Sequence, residues 1–229
     1  MIPLTDSNPT TKVPIACYTI IAINLLVFFN QLFTGTDVNV YRYGIIPYEI
    51  THFTEISQNP AFQTPFANIL TLFTSMFIHG GFLHIASNML FLWIFGDNVE
   101  ELMGSWRFIL FYLLAGIVAA FTQIIIAPSS TIPMVGASGA IAGILGAYFL
   151  KFPRAKVKVL IIFFFFIQVV SVPAVIVLGI WFLMQIISGV TSLGALDMGG
   201  TAWFAHIGGF VAGLIFVNKF QKRRVEIWY

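Results

Sequence analysis

The sequence is short of charge. Of its 229 residues only 9% are Asp, Glu, Lys or Arg, against about 25% in soluble domains, while 59% are apolar. A soluble fold needs polar surface to cover its core, so a soluble enzyme is excluded, as is a disordered chain. The net charge of +2 sits in short clusters rather than on a broad basic face, which excludes nucleic acid as a partner. A single cysteine, Cys17, rules out an internal disulfide, and cysteine usage gives no redox compartment. Internal repeats are absent. What remains is a polytopic membrane protein, for which the lipid bilayer is itself a partner.

Uncharged stretches run over 13–36, 56–96, 108–150, 159–196 and 198–218. A bilayer core ~30 Å thick needs about 20 apolar residues per spanning helix. The fold class expected is therefore an all-α membrane protein with six transmembrane helices, at about 13–34, 82–102, 106–127, 138–151, 173–191 and 203–219. Pro128, Ser129, Ser130 and Pro133 divide the long third stretch. The apolar run 159–171 is short and is followed by Pro173, so it is expected to be interfacial or re-entrant, with a seventh helix as the alternative. The first helix is longer than a signal-peptide core and is expected to be a retained span. Basic residues lie before the first helix (Lys12), between the fourth and fifth (Lys151, Arg154, Lys156, Lys158) and after the sixth (Lys219, Lys222, Arg223, Arg224). With six spans all three places share one side, which the charge bias makes cytoplasmic. Both termini are then cytoplasmic. The segment 35–81 becomes a long external loop lying against the membrane surface.

Polar groups within the spans are costly and ask for a reason. Ser138 opens the fourth helix, His206 lies at the start of the sixth, and His84 lies at the start of the second with Asn88 one turn later on the same face. Ser138 precedes Lys151, His206 precedes Lys219 and His84 precedes Asp97 by the same thirteen residues. At 1.5 Å per residue all three side chains sit about 20 Å above the cytoplasmic charges, or about 10 Å below the outer surface. Gly139, Ala142, Gly143 and Gly146 give the fourth helix a small-residue face, and Gly209 and Gly213 do the same beside His206, so the two helices can pack closely. Two readings fit: interhelical hydrogen bonds alone, or a serine nucleophile activated by a histidine base, with His84, Asn88 and the Ser138 N–H facing a developing oxyanion. No acid is expected at this depth, so the pair would be a dyad. His79 and His84 are five residues apart, off the i, i+4 spacing of a zinc site, and no third ligand stands nearby; no metal is expected.

These residues stand in a recognisable order. His79-Gly-Gly-Phe-Leu-His84-Ile-Ala-Ser-Asn88 is followed by Gly96-x-x-x-Glu100-x-x-x-Gly104. Gly136-Ala-Ser138-Gly139 comes next, and then Ala205-His206-Ile-Gly-Gly209-x-x-x-Gly213. Over roughly 67–218 the chain resembles the rhomboid intramembrane serine proteases. The resemblance implies a single rhomboid-like membrane domain over 1–229, with Ser138 as nucleophile and His206 as general base. It implies an oxyanion hole from His84, Asn88 and main-chain donors near Gly136 and Ser138. His79 would tie down the external loop, and Glu100 would cap or brace the second helix. The implied substrates are transmembrane segments of other membrane proteins, cut near the outer face, with no cofactor and no metal. The fifth helix and the loop 192–203, flexible at Gly194, Gly199 and Gly200, would form a gate and cap. Ala142 stands where many members carry an aromatic residue on the histidine, so Trp203 or Phe204 is expected to support it instead. A transporter would show repeats and central intramembrane charges, and non-cleaving relatives lack the serine or the histidine. A prokaryotic plasma membrane is the expected location.

Overall fold

The computed structural model describes residues 2–163, 166–194 and 200–222. Among them the chain is mostly helical: α1 (Ile15–Thr34), α2 (Thr36–Tyr43), α3 (Pro47–His52), α4 (Thr71–Thr74), α5 (Phe82–Met103), α6 (Ser105–Ile126), α7 (Ser138–Lys151), α8 (Ala174–Ser192) and α9 (Trp203–Phe220). Four of these, α1, α6, α8 and α9, are long and apolar enough to cross a membrane. A fifth candidate is α5 taken with the segment 68–77, from which it bends by 78°. Helix α7 has 14 residues, about 21 Å of rise.

The segment 35–81 is structured rather than a plain loop. It contains α2, α3 and α4, with 3-10 turns at Asn68–Leu70 and Ser75–Phe77. Its anchor is Gln31 on α1, which donates to the His79 carbonyl at 3.1 Å and accepts from the His79 N–H at 3.1 Å. A second tie is a bridge between Ile45 and Met134.

The seventh-helix alternative for 159–171 and the purely α-helical class are both corrected. Residues Lys156–Phe163 (β2) and Phe166–Pro173 (β3) form a hairpin. An N-terminal strand, Ile2–Asp6 (β1), adds antiparallel to β2, in the order β1-β2-β3. The physical reason is the period of two in Lys156-Val-Lys-Val159, where Val157 and Val159 are fully buried while Lys156 and Lys158 are exposed. Pro173 ends β3 and leads directly into α8.

The helices meet through their smallest residues. A Cβ added at Gly209 would stand 2.1 Å from the Gly139 carbonyl oxygen, and one at Gly213 would stand 2.0 Å from that of Gly143. Backbone of α7 therefore lies directly on backbone of α9, which only glycine permits. Helix α6 closes in beside this contact: a Cβ at Gly143 would meet Ala115 of α6 at 2.4 Å and the Gly209 carbonyl oxygen of α9 at 3.3 Å. Around this contact Tyr112, Tyr148, Phe95, Phe108, Phe111 and Phe210 are buried almost completely. Large apolar side chains on the outer faces, such as Leu26, Phe33, Ile125 and Leu183, are exposed, as lipid-facing residues are.

Two helix starts are capped from neighbouring helices. No side chain of its own caps α1; the buried Glu100 of α5 accepts from the N–H of Ala16 at 3.0 Å and of Cys17 at 2.7 Å, and from the Ser105 hydroxyl. A carboxylate there meets both the orphan donors and the positive end of the helix dipole. Glu100 thus caps the first long helix rather than its own, which corrects the expected cap, while its bonds to α1 and Ser105 brace α5 at that end. Likewise Gln123 of α6 accepts from the N–H of Phe204 and Ala205 at the start of α9, at 3.1 and 3.3 Å.

Candidate active site

Helix α7 begins at Ser138 and α9 brings His206 in on its first turn. Because glycine backbones hold the two helices in contact, the side chains meet: the Ser138 Oγ lies 2.7 Å from the His206 Nε2. The other ring nitrogen, Nδ1, lies 2.8 Å from Oε1 of Gln185 on α8. Two indoles flank the imidazole. Trp181 of α8 has its centroid 6.0 Å away, tilted by 32°, and Trp203 lies edge-on at 6.3 Å. The aromatic support expected from Trp203 is present; that from Trp181 was not foreseen.

Behind the serine stands the first half of α5. Gly136 has φ +121°, and a Cβ there would fall 2.6 Å from the His84 Nε2 and 3.5 Å from the Asn88 Nδ2, so a glycine is required both by the turn and by the close approach. These distances place His84 and Asn88 against the turn that delivers Ser138. The Asn88 side chain is 6% exposed and its Nδ2 makes no hydrogen bond. An unpaired buried donor is expensive to keep. The Nδ1 of His84 accepts from the Gly80 N–H at 3.4 Å. Gly136, expected as a main-chain donor, is otherwise occupied: its N–H donates to the Ser75 carbonyl at 2.9 Å. The nearer main-chain donor is Ser138 itself, since no side chain caps α7 and the N–H groups of a first turn have no intrahelical acceptor.

His79 does not line this arrangement. It is fully buried, held by Gln31 through its main chain, and its ring packs edge-on against His84 with centroids 5.1 Å apart. Gly209 and Gly213 act through packing, as the α7–α9 contact requires. Among the described residues no group of three or more His, Cys, Asp and Glu could hold a metal ion.

A cavity of about 870 Å³ opens onto these groups, lined among others by His84, Asn88, Ser138, Trp181, Trp203 and His206. Its size suits a peptide segment, and its chemistry combines a hydroxyl, an imidazole in contact with it and unpaired donors beyond, the elements that acyl transfer needs. Part of the expected cap, including Gly199, lies outside the described residues; Gly200 lines the cavity.

The family model described as the Rhomboid domain matches residues 67–223. The chain belongs to the rhomboid family. Similar rhomboid proteins include rhomboid protease GluP of Bacillus subtilis, 34% identical over 134 residues, covering 58% of this chain and 24% of that protein. Rhomboid protein 1, mitochondrial, of Saccharomyces cerevisiae is 29% identical over 170 residues, 69% of this chain and 45% of that protein. The human presenilin-associated rhomboid-like protein, mitochondrial, is 26% identical over 227 residues, 92% of this chain and 51% of that protein. The chain thus spans between a quarter and about half of the length of these relatives, which come from both bacteria and mitochondria. As a rhomboid protein with several apolar helices it is an integral membrane protein.

Gln185 and Trp181 were missed by sequence reasoning, as were Gln31 and Gln123. A signal was present: Gln123 and Gln185 are each the lone amide of an apolar helix, and Gln31 shares another with Asn24 and Asn30, where an unpaired polar group is costly and a partner is implied.

Proposed function

We propose that this rhomboid protein is an intramembrane serine endopeptidase, cutting transmembrane segments of membrane-protein substrates near the extracytoplasmic face with Ser138 and His206 as its catalytic pair. In this reading the chain forms one membrane domain of six spans, with α1 and α5 to α9 as the spanning helices and both termini cytoplasmic. The observation that carries the proposal is the 2.7 Å contact between the Ser138 Oγ and the His206 Nε2, at the wall of a cavity large enough for a peptide. A serine hydroxyl is a poor nucleophile until a base within about 2.6–3.2 Å takes its proton. Here the Oγ attacks the scissile carbonyl carbon as its proton passes to Nε2. The resulting oxyanion accepts hydrogen bonds from the Ser138 N–H, the Asn88 Nδ2 and His84. Collapse of this intermediate breaks the C–N bond, His206 returns the proton to the leaving amine, and water, activated by the same imidazole, hydrolyses the acyl-enzyme.

A spanning helix satisfies all its backbone hydrogen bonds internally, so a substrate must unwind before its carbonyl reaches Ser138. Unwinding is cheapest near the membrane edge, in keeping with a site at the outer ends of α7 and α9. Helix α8, the least buried of the four long apolar helices, is the side from which a segment enters. Cleavage of a reconstituted transmembrane substrate tests the reading: Ser138→Ala and His206→Ala are each expected to abolish product while still folding. Product at the wild-type rate from either variant would overturn it.

A further inference from the structure

The side chain of Gln185 has a single orientation open to it. Its Nε2 faces the Trp181 carbonyl one turn back on α8, at 3.3 Å, and a carbonyl oxygen only accepts. The amide nitrogen is therefore fixed on that side, which turns Oε1 toward His206, 2.8 Å from Nδ1. An amide oxygen also only accepts, so Nδ1 must carry the hydrogen. A neutral imidazole protonated on Nδ1 has its lone pair on Nε2, the atom that faces the Ser138 hydroxyl. The chain of bonds thus selects the tautomer in which His206 can take a proton from Ser138. Gln185 is 6% exposed, so water does not compete for this bond.

We propose that Gln185 is the positioning residue of the dyad, contributed by α8, which holds His206 in its base-competent tautomer and accepts from Nδ1–H when the imidazolium forms. The inference rests on the protease reading above and adds to it. Trp181, one turn earlier on the same helix, packs on the same ring. Helix α8 therefore supplies both the orienting acceptor and the adjacent indole, and the general base is complete only with α8 docked against α9. The groups that bear on His206 are few. His84 faces it from α5, α6 presents Gln123, α7 presents Ser138, and α8 carries no ionisable residue. Arg107, Lys151 and Lys219 lie at the far ends of α6, α7 and α9, as do Asp97, Glu100 and Glu101 on α5.

The test combines two substitutions with two readouts, cleavage of a reconstituted substrate and labelling by a serine-directed fluorophosphonate, which needs no bulky substrate to enter. Gln185→Leu is expected to lower kcat and the labelling rate together by about 10- to 100-fold, the scale of one lost buried hydrogen bond to a reacting group, with KM nearly unchanged. Its pH profile should shift its acid limb to lower pH, because the imidazolium loses an acceptor. Gln185→Glu keeps an oxygen at the same reach. It is expected to recover labelling and to move the acid limb to higher pH, because a carboxylate favours the imidazolium. Wild-type kcat with an unmoved acid limb in Gln185→Leu would overturn the inference, as would slow cleavage with normal labelling, which would place Gln185 in substrate entry. If Gln185→Leu does not fold, the acid limb of Gln185→Glu decides alone. Cleavage by Ser138→Ala would instead sink the protease reading, so the two failures are distinguishable.

Discussion

Asn88 shows how a single side chain can be stored unpaired. Its Nδ2 is buried and makes no hydrogen bond, in a fold that elsewhere spends glutamines to satisfy lone backbone groups. A buried donor without a partner costs roughly 1–3 kcal/mol, and an oxyanion formed at Ser138 would give it an acceptor during the reaction. Asn88→Ala is therefore expected to slow cleavage by about 10–10³-fold without loss of stability; an unchanged rate would remove Asn88 from the oxyanion site. The equal thirteen-residue spacings of Ser138, His206 and His84 from Lys151, Lys219 and Asp97 made the shared level of these three residues legible in the sequence. Gly136 was legible as a residue but not in its role, because only the fold reveals that its N–H is given to Ser75.

At the scale of elements, helix starts are secured by borrowed caps. Glu100 reaches from α5 to α1, and Gln123 from α6 to α9. Glu100→Ala leaves two buried N–H groups and the Ser105 hydroxyl without their acceptor and is expected to cost about 1–3 kcal/mol of stability, read as thermal unfolding in detergent. Glu100→Gln, which keeps one acceptor, should cost less, and equal losses in the two variants would contradict the cap. The sequence carried Glu100 in a motif but could not say which helix it serves, since that depends on a contact 83 residues away. The strands at 156–163 and 166–173 were legible in part. Hydropathy alone reads 159–171 as an interfacial or re-entrant run, whereas the alternation at Lys156–Val159 already had the period of a sheet.

Over the whole molecule, the site lies at one end of the bundle and a polar strap closes the other. The N-terminal strand β1 pairs with β2, Asp6 accepts from the Tyr148 hydroxyl, Asn8 exchanges hydrogen bonds with Asn98, and Thr11 donates to Glu101. No sequence signal announced this strap, because its partners lie about 90 residues or more apart along the chain. Burial pushes the Asp6 carboxyl up to about 6, with repulsion from Asp97 adding to it and the Tyr148 hydroxyl opposing. A raised carboxyl means that the closed strap binds more protons than the open one. Its contribution is whole below about pH 4 and is lost as pH rises through about 6. Hydrogen-exchange protection of the Ser7 N–H, which donates to the Lys156 carbonyl, is expected to be higher at pH 4.5 than at pH 7.5, and Asp6→Asn should flatten the difference. Protection that rises with pH would contradict the assignment.

The most direct measurement of the central claim is mass spectrometry of the protein after reaction with a fluorophosphonate in lipid or detergent. The adduct is expected on Ser138, with its formation abolished in His206→Ala. An adduct on another serine, or labelling of Ser138 at the wild-type rate without His206, would contradict a hydroxyl activated by that imidazole.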